Sequence, residues 1–249
     1  MNSFEKPNQQ KAPVGGEHLG SEYYEEYNSL FDLEMMASRI QAIPLPEEMS
    51  TNLKRNKSNA FLVLGSATTK NLNGVTKIAH YLHGKEATLK DSVSIVDIND
   101  ISVALHGKEI QELDKVSDWS KTSMRENSAK TFPYPEFSVE KGDIRSLSQE
   151  TDSIDVALSD YTINYLDSKE DVSAFFCEVN RVLKQKGILY IAFRYSKGSQ
   201  TQERVNQGGA EISMLSLDDY KQLAEGAGLR IVATEAGGDA GDTLIIFGK

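Results

Sequence analysis

The stretch that most constrains the fold is residues 153–193, in which two apolar runs flank an amphipathic helix pattern. The first run is Ile154–Leu158. The helix pattern begins at Ser168, and the second run, Ile188–Phe193, follows Gly187. Two strands joined by a crossover helix form a βαβ unit, which needs parallel pairing and helices packed on the sheet. This stretch therefore predicts an α/β domain.

The helix pattern in this unit has a start signal and a buried face. Asp171 lies three residues after Ser168, as in a capping box. The apolar face is formed by Val172, Phe175, Phe176, Val179, Val182 and Leu183. The first strand ends in Ser159, Asp160 and Tyr161, and ligands of open α/β sheets bind beyond the carboxyl ends of strands. We therefore expect a ligand site at this strand end.

Strand and helix patterns alternate along the rest of the chain. Further apolar runs that predict strands are Ala60–Leu64, Val93–Val96, Phe137–Val139, Leu229–Ala233 and Leu244–Phe247. Helix patterns cover Val75–Leu82, Ile101–Leu113 and the segment after Ser216. The last two strands are joined by a turn-rich segment, which predicts an antiparallel hairpin. Together these patterns predict a seven-stranded, mostly parallel sheet with a C-terminal antiparallel hairpin, in a three-layer αβα arrangement.

The region before the first strand is predicted to be an extension. Residues 1–20 are polar and are expected to form a flexible tail. Residues 21–55 carry a helical extension whose tyrosines lie on an apolar stripe that ends at Pro44. This extension is either a helix packed on the main domain or a lid over a ligand, and the two roles are compatible. Residues 51–59 are expected to be a polar linker, and the main domain spans 56–249.

Two connections are polar and are predicted to be irregular. Residues 114–135 are long for a connection in a compact domain, so they form either an excursion with its own structure or a functional loop. Residues 194–211 contain Gly198 and the pair Gly208-Gly209, which predicts a surface loop.

Composition limits the classes of partner. A net charge of −10 makes a nucleic-acid backbone an unexpected partner. The single cysteine, Cys177, excludes an intrachain disulfide and is predicted to be a core thiol on a helix. The sequence shows no signal peptide and no apolar run of about 18 residues, so we expect a cytoplasmic protein without a membrane segment. His80 and His83 alone are too few ligands to predict a metal site.

Four strand ends carry small or acidic residues in an order that suits a nucleoside. They are Gly65-Ser66-Ala67, Asp97, Gly142-Asp143-Ile144 and Ser159-Asp160-Tyr161. Small residues admit a ribose and its tail, and an ionised carboxylate can accept both ribose hydroxyls because it is acceptor-only. A further acid can accept the exocyclic amine of an adenine. Taken alone, Asp97 could instead be the N-cap of the next helix. The nucleoside interpretation therefore depends on all four strand ends occurring together in this order.

Three stretches resemble the class I S-adenosylmethionine-dependent methyltransferases, in particular the type 11 methyltransferase domain. SIDVALSDYTINYL is similar to the fourth-strand motif of that family, and EVNRVLKQKGILYIAF to its strand–helix–strand region. MLSLDDYKQLAEGAGLRIV resembles its last helix and sixth strand. The resemblance covers residues 60–249. It implies a Rossmann-like fold, S-adenosylmethionine as the cofactor and methyl transfer as the activity.

The resemblance also implies roles for individual residues. The residues implied for cofactor binding are Gly65, Ser66, Ala67, Asp97, Ile98, Asp143, Ile144, Ser159 and Asp160. Asp97 would bind the ribose hydroxyls, and Asp143 with Ile144 would hold the adenine. Asp160 and Tyr161 are the catalytic candidates: Asp160 is the candidate base if the acceptor is a hydroxyl or an amine, and Tyr161 would shape the pocket.

The first motif departs from the family pattern. Val63 replaces the usual acid, Ala67 and Thr69 replace two glycines, and only Gly65 stands. We predict a methyltransferase that acts on a small molecule, and less readily on a protein. The alternative is a non-catalytic protein of this fold that serves as a binding partner or regulatory subunit. An aminopropyltransferase on the same fold stays open, whereas a nicotinamide dehydrogenase is disfavoured because the turn after Gly65 is not G-x-G-x-x-G. The oligomeric state is not encoded in any motif.

Overall fold

The structure is a computed structural model that describes residues 33–65, 71–84, 88–123, 135–197, 202–207, 210–235 and 241–249. Its helices are α1 (Leu33–Ala42), α2 (Glu47–Arg55), α3 (Asn71–Leu82), α4 (Asp100–Ser123), α5 (Lys169–Val182) and α6 (Leu217–Gly226). Its strands are β1 (Ala60–Leu64), β2 (Ser92–Asp97), β3 (Glu136–Lys141), β4 (Ile154–Asp160), β5 (Leu183–Arg194), β6 (Gln202–Gln207), β7 (Ala210–Leu215), β8 (Arg230–Thr234) and β9 (Asp242–Gly248). Short 3-10 turns cover Thr88–Lys90 and Thr162–Tyr165.

Seven strands form one sheet in the order β3-β2-β1-β4-β5-β9-β8. The pairs from β3 to β5 are parallel, and β9 runs antiparallel to both β5 and β8. This arrangement confirms the predicted fold class, including the C-terminal antiparallel hairpin. Because β1 and β4 are neighbours, the strand order reverses between them, and that reversal is where ligands of open α/β sheets bind.

Helices cover both faces of the sheet and bury two hydrophobic clusters. One cluster joins α5 and α6 to the sheet and contains Phe175, Phe176 and Tyr220, all fully buried. The other joins α1, α2 and α3 to the opposite face. The predicted three layers are therefore present, and the strands buried on both faces explain the continuous apolar runs in the sequence.

Two helix starts follow the predicted capping chemistry. The Ser168 hydroxyl accepts a hydrogen bond from the Asp171 backbone N–H at 3.1 Å, and α5 begins there. Ser216 does the same for Asp219 at the start of α6. Each cap satisfies a backbone donor that has no partner inside the helix.

Four local predictions are corrected. Much of the expected linker at 51–59 is helical, because Met49 and Leu53 lie four residues apart on one face of α2 and are buried. Helix α4 continues to Ser123, so the first part of the 114–135 connection is helical. The segment from 114 to 123 contains no proline or glycine that would end a helix. The side chain of Cys177 is exposed rather than in the core, because it lies on the solvent face of α5.

The fourth correction concerns the predicted surface loop after β5. Strands β6 and β7 pair antiparallel there, from Gln202 opposite Leu215 to Gln207 opposite Ala210. In β7, Ile212 and Leu215 are 3% and 1% exposed, so the hairpin is held by apolar burial. The glycine pair at 208–209 falls between the strands, and such pairs are a signal for hairpin turns.

The N-terminal predictions are described only in part. The tail at 1–20 and the start of the extension, to residue 32, lie outside the described residues. From residue 33 the extension is α1, whose Met36, Ala37 and Ile40 are buried in the same cluster as α3. No helix in the described ranges is long and apolar enough to cross a membrane.

Candidate functional site

Backbone hydrogen bonds join the strand ends singled out from the sequence along one edge of the sheet. The Gly65 N–H donates to the Val96 carbonyl at 2.8 Å, and the Gly142 N–H donates to the Asp97 carbonyl at 2.9 Å. On the other side of β1, Leu64 lies opposite Ser159. The ends of β1, β2, β3 and β4 therefore lie side by side, where the fold places a ligand.

Gly65 begins the turn after β1 in a conformation that suits glycine. Its φ is +63°, and a Cβ on it would lie 2.1 Å from Cγ2 of Thr162. The Thr162 hydroxyl lies 2.8 Å from the Leu64 carbonyl oxygen and 2.7 Å from that of Gly65. Thr162 thus ties the turn after β1 to the turn after β4, a contact that the sequence analysis missed. Ser66 and Ala67 lie outside the described residues.

The carboxylate of Asp97 is buried at the end of β2, where 6% of the residue is exposed. It accepts hydrogen bonds from the Asn99 N–H at 2.9 Å and from the Ser102 hydroxyl at 2.8 Å. Burial raises its pKa, and these bonds, with one from the backbone N–H of Ile98, oppose the rise. Asn99 supplies the N-cap of α4, because its side-chain oxygen accepts from the Ile101 N–H at 2.8 Å. Asp97 is therefore not the residue that caps this helix.

Asp143 is held by an arginine that the sequence analysis did not single out. Arg145 contacts both Asp143 oxygens, with Nε 3.0 Å from Oδ1 and Nη2 2.7 Å from Oδ2. Its Nη1 reaches Oδ1 of Asp171 in the first turn of α5 at 2.6 Å. Ile144, between them in sequence, is 7% exposed and belongs to a core cluster. The chain thus fixes this turn internally, and the Asp-x-Arg spacing is the sequence signal that could have shown it.

Ser159 and Asp160 end β4 beside the reversal point. Ser159 is fully buried, and its hydroxyl has no hydrogen-bond partner among the described residues. Asp160 is half-buried and pairs with Ala192 of β5. A buried hydroxyl without a partner is uncommon and marks a position where a polar group from outside the chain would be stabilised.

Tyr161 follows in a left-handed conformation, with φ 56° and ψ 2°. Its N–H donates to the Ala192 carbonyl at 2.8 Å, which fixes the backbone. Such a conformation is costly for a residue with a side chain, and it persists only where the surroundings impose it. Burial is the main cause that raises the Tyr161 pKa, to about 12, and the carboxylates of Asp242 and Asp160 add to it.

Two arginines surround the Tyr161 side chain. The positively charged guanidinium of Arg39, from α1, opposes the rise in the Tyr161 pKa. The Arg194 guanidinium lies 5.9 Å from the centre of its ring. Each arginine is paired with an acid, Arg39 with Glu235 and Arg194 with Asp242. We call these five residues the Tyr161 cluster.

The described ranges contain no group of three or more histidine, cysteine or acidic side chains that could hold a metal ion. The polar groups at the strand ends are instead carboxylates, hydroxyls and guanidiniums. These groups recognise an organic ligand by hydrogen bonds.

A family model described as a methyltransferase domain matches residues 97–191. No curated protein matches the sequence significantly.

Solved structures share the fold at low identity. An S-adenosylmethionine-dependent methyltransferase from Methanosarcina mazei has a TM-score of 0.51 and 18% identity, with 80% of this chain and 96% of that one covered. One from Aquifex aeolicus has a TM-score of 0.55 and 13% identity, covering 92% and 98%. One from Clostridium acetobutylicum has a TM-score of 0.53 and 12% identity, covering 91% and 97%.

The expected cofactor, S-adenosylmethionine, is supported by the family-model match and by the names of solved structures that share the fold. The family-model match over residues 97–191 and the strand order confirm the resemblance found in the sequence: the chain has the fold of the class I S-adenosylmethionine-dependent methyltransferases.

Proposed function

We propose that this protein is an S-adenosylmethionine-dependent methyltransferase that acts on a small-molecule acceptor. The observation that carries the proposal is the alignment of Gly65, Asp97 and Ser159-Asp160-Tyr161 along the carboxyl edge of β1, β2 and β4, at the reversal of the strand order. A nucleoside cofactor needs a turn of small residues and a carboxylate on the next strand. Both belong to this edge of the sheet in the proposed site.

The residues present fit such a cofactor. A carboxylate can accept about four hydrogen bonds. Asp97 receives three, from the N–H groups of Ile98 and Asn99 and from the Ser102 hydroxyl, so it has room for a ribose hydroxyl. The unpartnered Ser159 hydroxyl and the left-handed turn at Gly65 offer a polar contact and close backbone approach.

The adenine contact is proposed in a modified form. Asp143 and Ile144 lie at the expected strand end, but the Asp143 carboxylate is bound by the Arg145 fork and Ile144 is buried. We propose that Asp143 lies at the adenine end of the site and that Ile98, half-buried beside Asp97, contacts the ring. Ser66 and Ala67 retain their proposed places in the turn.

The bound cofactor supplies an electrophilic methyl group on a sulfonium. The chain supplies position and proton acceptance. Asp160, at the end of β4, is the proposed base for a hydroxyl or amine acceptor, and Tyr161 forms the wall next to it. Positioning and the exclusion of water carry most of the rate enhancement in such a reaction.

Enclosure of the reaction side supports a small acceptor. On one side α1 reaches Tyr161 through Arg39. On the other, Asn164 joins the turn after β4 to the β6–β7 hairpin by donating to the Ser213 carbonyl at 3.1 Å. A large acceptor would have to displace one of these elements, and a net charge of −10 disfavours nucleic acid.

Calorimetry with S-adenosylmethionine and S-adenosylhomocysteine tests the proposal. We expect both to bind one site per chain. Absence of binding at millimolar ligand would overturn the proposed methyltransferase activity and favour the alternative, a non-catalytic protein that serves as a binding partner. Binding followed by methyl transfer to small acceptors, detected with a labelled methyl group, would establish the activity.

A further inference from the structure

The carboxylate of Asp143, in the turn after β3, is occupied by a single residue. The backbone N–H and the Nε of Arg145 lie 2.9 and 3.0 Å from its Oδ1. The same Nε and the Nη2 of Arg145 lie 3.1 and 2.7 Å from its Oδ2. An ionised carboxylate offers about four acceptor sites. Arg145 therefore uses the acceptor capacity of Asp143 from within the chain.

The other end of the same guanidinium is anchored to α5. Nη1 of Arg145 donates to Oδ1 of Asp171 at 2.6 Å. Asp171 is itself fixed, because its Oδ2 accepts from the Ser168 hydroxyl at 2.8 Å and its N–H donates to that hydroxyl at 3.1 Å. Forked pairs of arginine and carboxylate are directional as well as strong. Arg145 is thus held between two acids, and moving it away from Asp143 would also break the contact with α5.

Backbone contacts fix the turn that carries Asp143. The Gly142 N–H donates to the Asp97 carbonyl, and the Ser146 N–H donates to the Asp143 carbonyl, both at 2.9 Å. A Cβ on Gly142 would lie 2.8 Å from Cγ1 of Val96, so the turn packs directly on β2. The fork on Asp143 is therefore part of a well-fixed turn at the carboxyl edge of the sheet.

Asp97 and Asp143 differ in the acceptor capacity that they leave for a ligand. Asp97 accepts three hydrogen bonds from the chain, which leaves room for a ribose hydroxyl. Asp143 already has four contacts from Arg145 alone. The exocyclic amine of adenine would have to donate to Asp143 beside the positive charge of the guanidinium. Asp143 is therefore a poor acceptor for that amine.

We infer that Arg145 determines the base specificity of the proposed cofactor site: because it occupies Asp143, the site does not select the exocyclic amine of adenine. This inference rests on the proposed function. The ligand class that it names is a purine nucleoside sulfonium or thioether, with or without an amine on the base. Asp97 and the proposed ring contact of Ile98 then carry the recognition of the nucleoside.

The test is calorimetry of the full chain with two ligands. One is S-adenosylhomocysteine, and the other is its analogue with unsubstituted purine in place of adenine, which lacks only the exocyclic amine. We expect the wild type to bind both with Kd values within about threefold of each other. Arg145→Gln removes the fork and opens Asp143 to the amine. This variant should prefer S-adenosylhomocysteine by about tenfold or more, as expected for a hydrogen bond to a charged group.

Two further variants separate this effect from loosening of the turn. Arg181→Gln is the matched control, because Arg181 forks Glu178 in the same way, at 3.0 and 2.7 Å, and also donates to the Leu147 carbonyl. It leaves Asp143 occupied, so the ratio of Kd values should stay within about threefold. The double variant of Asp143→Ala and Arg145→Gln lacks the freed carboxylate, and it should lose the preference that Arg145→Gln gains.

The outcomes distinguish this inference from the proposed function. A preference of the wild type for S-adenosylhomocysteine of about tenfold or more would overturn the inference, and this measurement needs no variant to fold. An unchanged ratio in an Arg145→Gln variant whose circular dichroism matches the wild type would overturn it as well. Binding of neither ligand to the wild type would overturn the proposed function and, with it, this inference.

Discussion

The side chain of Thr162 fills the space beside Gly65 where a Cβ would lie. A Cβ on Gly65 would be only 2.1 Å from Cγ2 of Thr162. The two residues are far apart in sequence, yet the contact joins the turns after β1 and β4 at the centre of the proposed site. Gly65 is thus needed for two reasons: its φ of +63° and the space taken by Thr162.

Substituting Gly65 by alanine should lower the free energy of unfolding by about 2–5 kcal/mol, from left-handed strain of about 1–2 kcal/mol and crowding of about 1–3 kcal/mol. Two controls separate these causes in urea titrations. Gly84→Ala meets a positive φ of +103° with no atom within 4 Å, and Gly226→Ala meets neither problem. We expect a loss of about 1 kcal/mol for Gly84→Ala and none for Gly226→Ala. Equal losses at Gly65 and Gly84 would show that Thr162 moves aside without cost.

Asp97→Asn should weaken S-adenosylmethionine binding about 10- to 150-fold, because a hydrogen bond to a charged group contributes about 1.5–3 kcal/mol. The amide keeps an oxygen for the Asn99 N–H, so the turn should remain folded. Ser102→Ala removes another partner of the same carboxylate and serves as the control, with affinity expected within about threefold. Calorimetry measures both, and wild-type affinity in Asp97→Asn would show that this carboxylate only braces the turn.

The edge of the sheet opposite the site contains a buried polar pair, Asp91 and His83. Oδ1 of Asp91 accepts from the Asn59 N–H at 2.7 Å and lies 2.7 Å from Nδ1 of His83. Burial, with the charge of Asp155, raises the Asp91 pKa, so the folded chain keeps this proton at a pH where the unfolded chain has lost it. The contribution of Asp91 to stability is therefore present below about pH 3.9 and falls as the pH rises through its folded pKa.

Asp91→Asn should remove this pH dependence. We expect the stability of the variant, relative to the wild type, to increase between about pH 4 and the folded pKa of Asp91. Urea titrations of both proteins at several pH values measure the difference between their free energies of unfolding. Groups that titrate alike in both proteins cancel in this difference. A flat difference for Asp91→Asn would contradict the raised pKa of Asp91.

The order of strands and helices could be predicted because each of these elements leaves a local pattern in the sequence. The apolar runs at Ile154–Leu158 and Ile188–Phe193, and the caps at Ser168 and Ser216, each report on a few neighbouring residues. The β6–β7 hairpin was missed because β6 has the sequence QERVNQ, in which Val205 is the only apolar residue. Local composition therefore resembled a loop.

From the sequence, the site could be predicted only as a set of strand ends that carry small or acidic residues in a particular order along the chain. Several contacts that shape the site join residues distant in sequence, and periodicity carries no information about these. The charge of Arg39 in α1 acts on Tyr161 after β4, and the Thr162 side chain lies beside Gly65. The Arg145 fork on Asp143 is the exception, because it is local and its Asp-x-Arg spacing could have shown it.

Asn164 joins the β6–β7 hairpin to the turn after β4. It is 1% exposed, and its amide donates to the carbonyls of Arg194 and Ser213 at 2.9 and 3.1 Å, while its oxygen accepts from the Arg194 N–H at 2.9 Å. Asn164→Ala should cost about 2–4 kcal/mol, since each buried group deprived of a partner costs about 1–3 kcal/mol.

The loss should be local to the hairpin and the turn after β4. Hydrogen exchange should show faster exchange at residues 210–215 in Asn164→Ala, with β1 and β2 unchanged. Asn180→Ala is the matched control, because its side-chain oxygen is buried without a partner among the described residues and its removal leaves no such hydrogen bond broken. Faster exchange across the whole sheet would show that Asn164 supports the domain as a unit, and the hairpin would then not be an independently docked wall of the site.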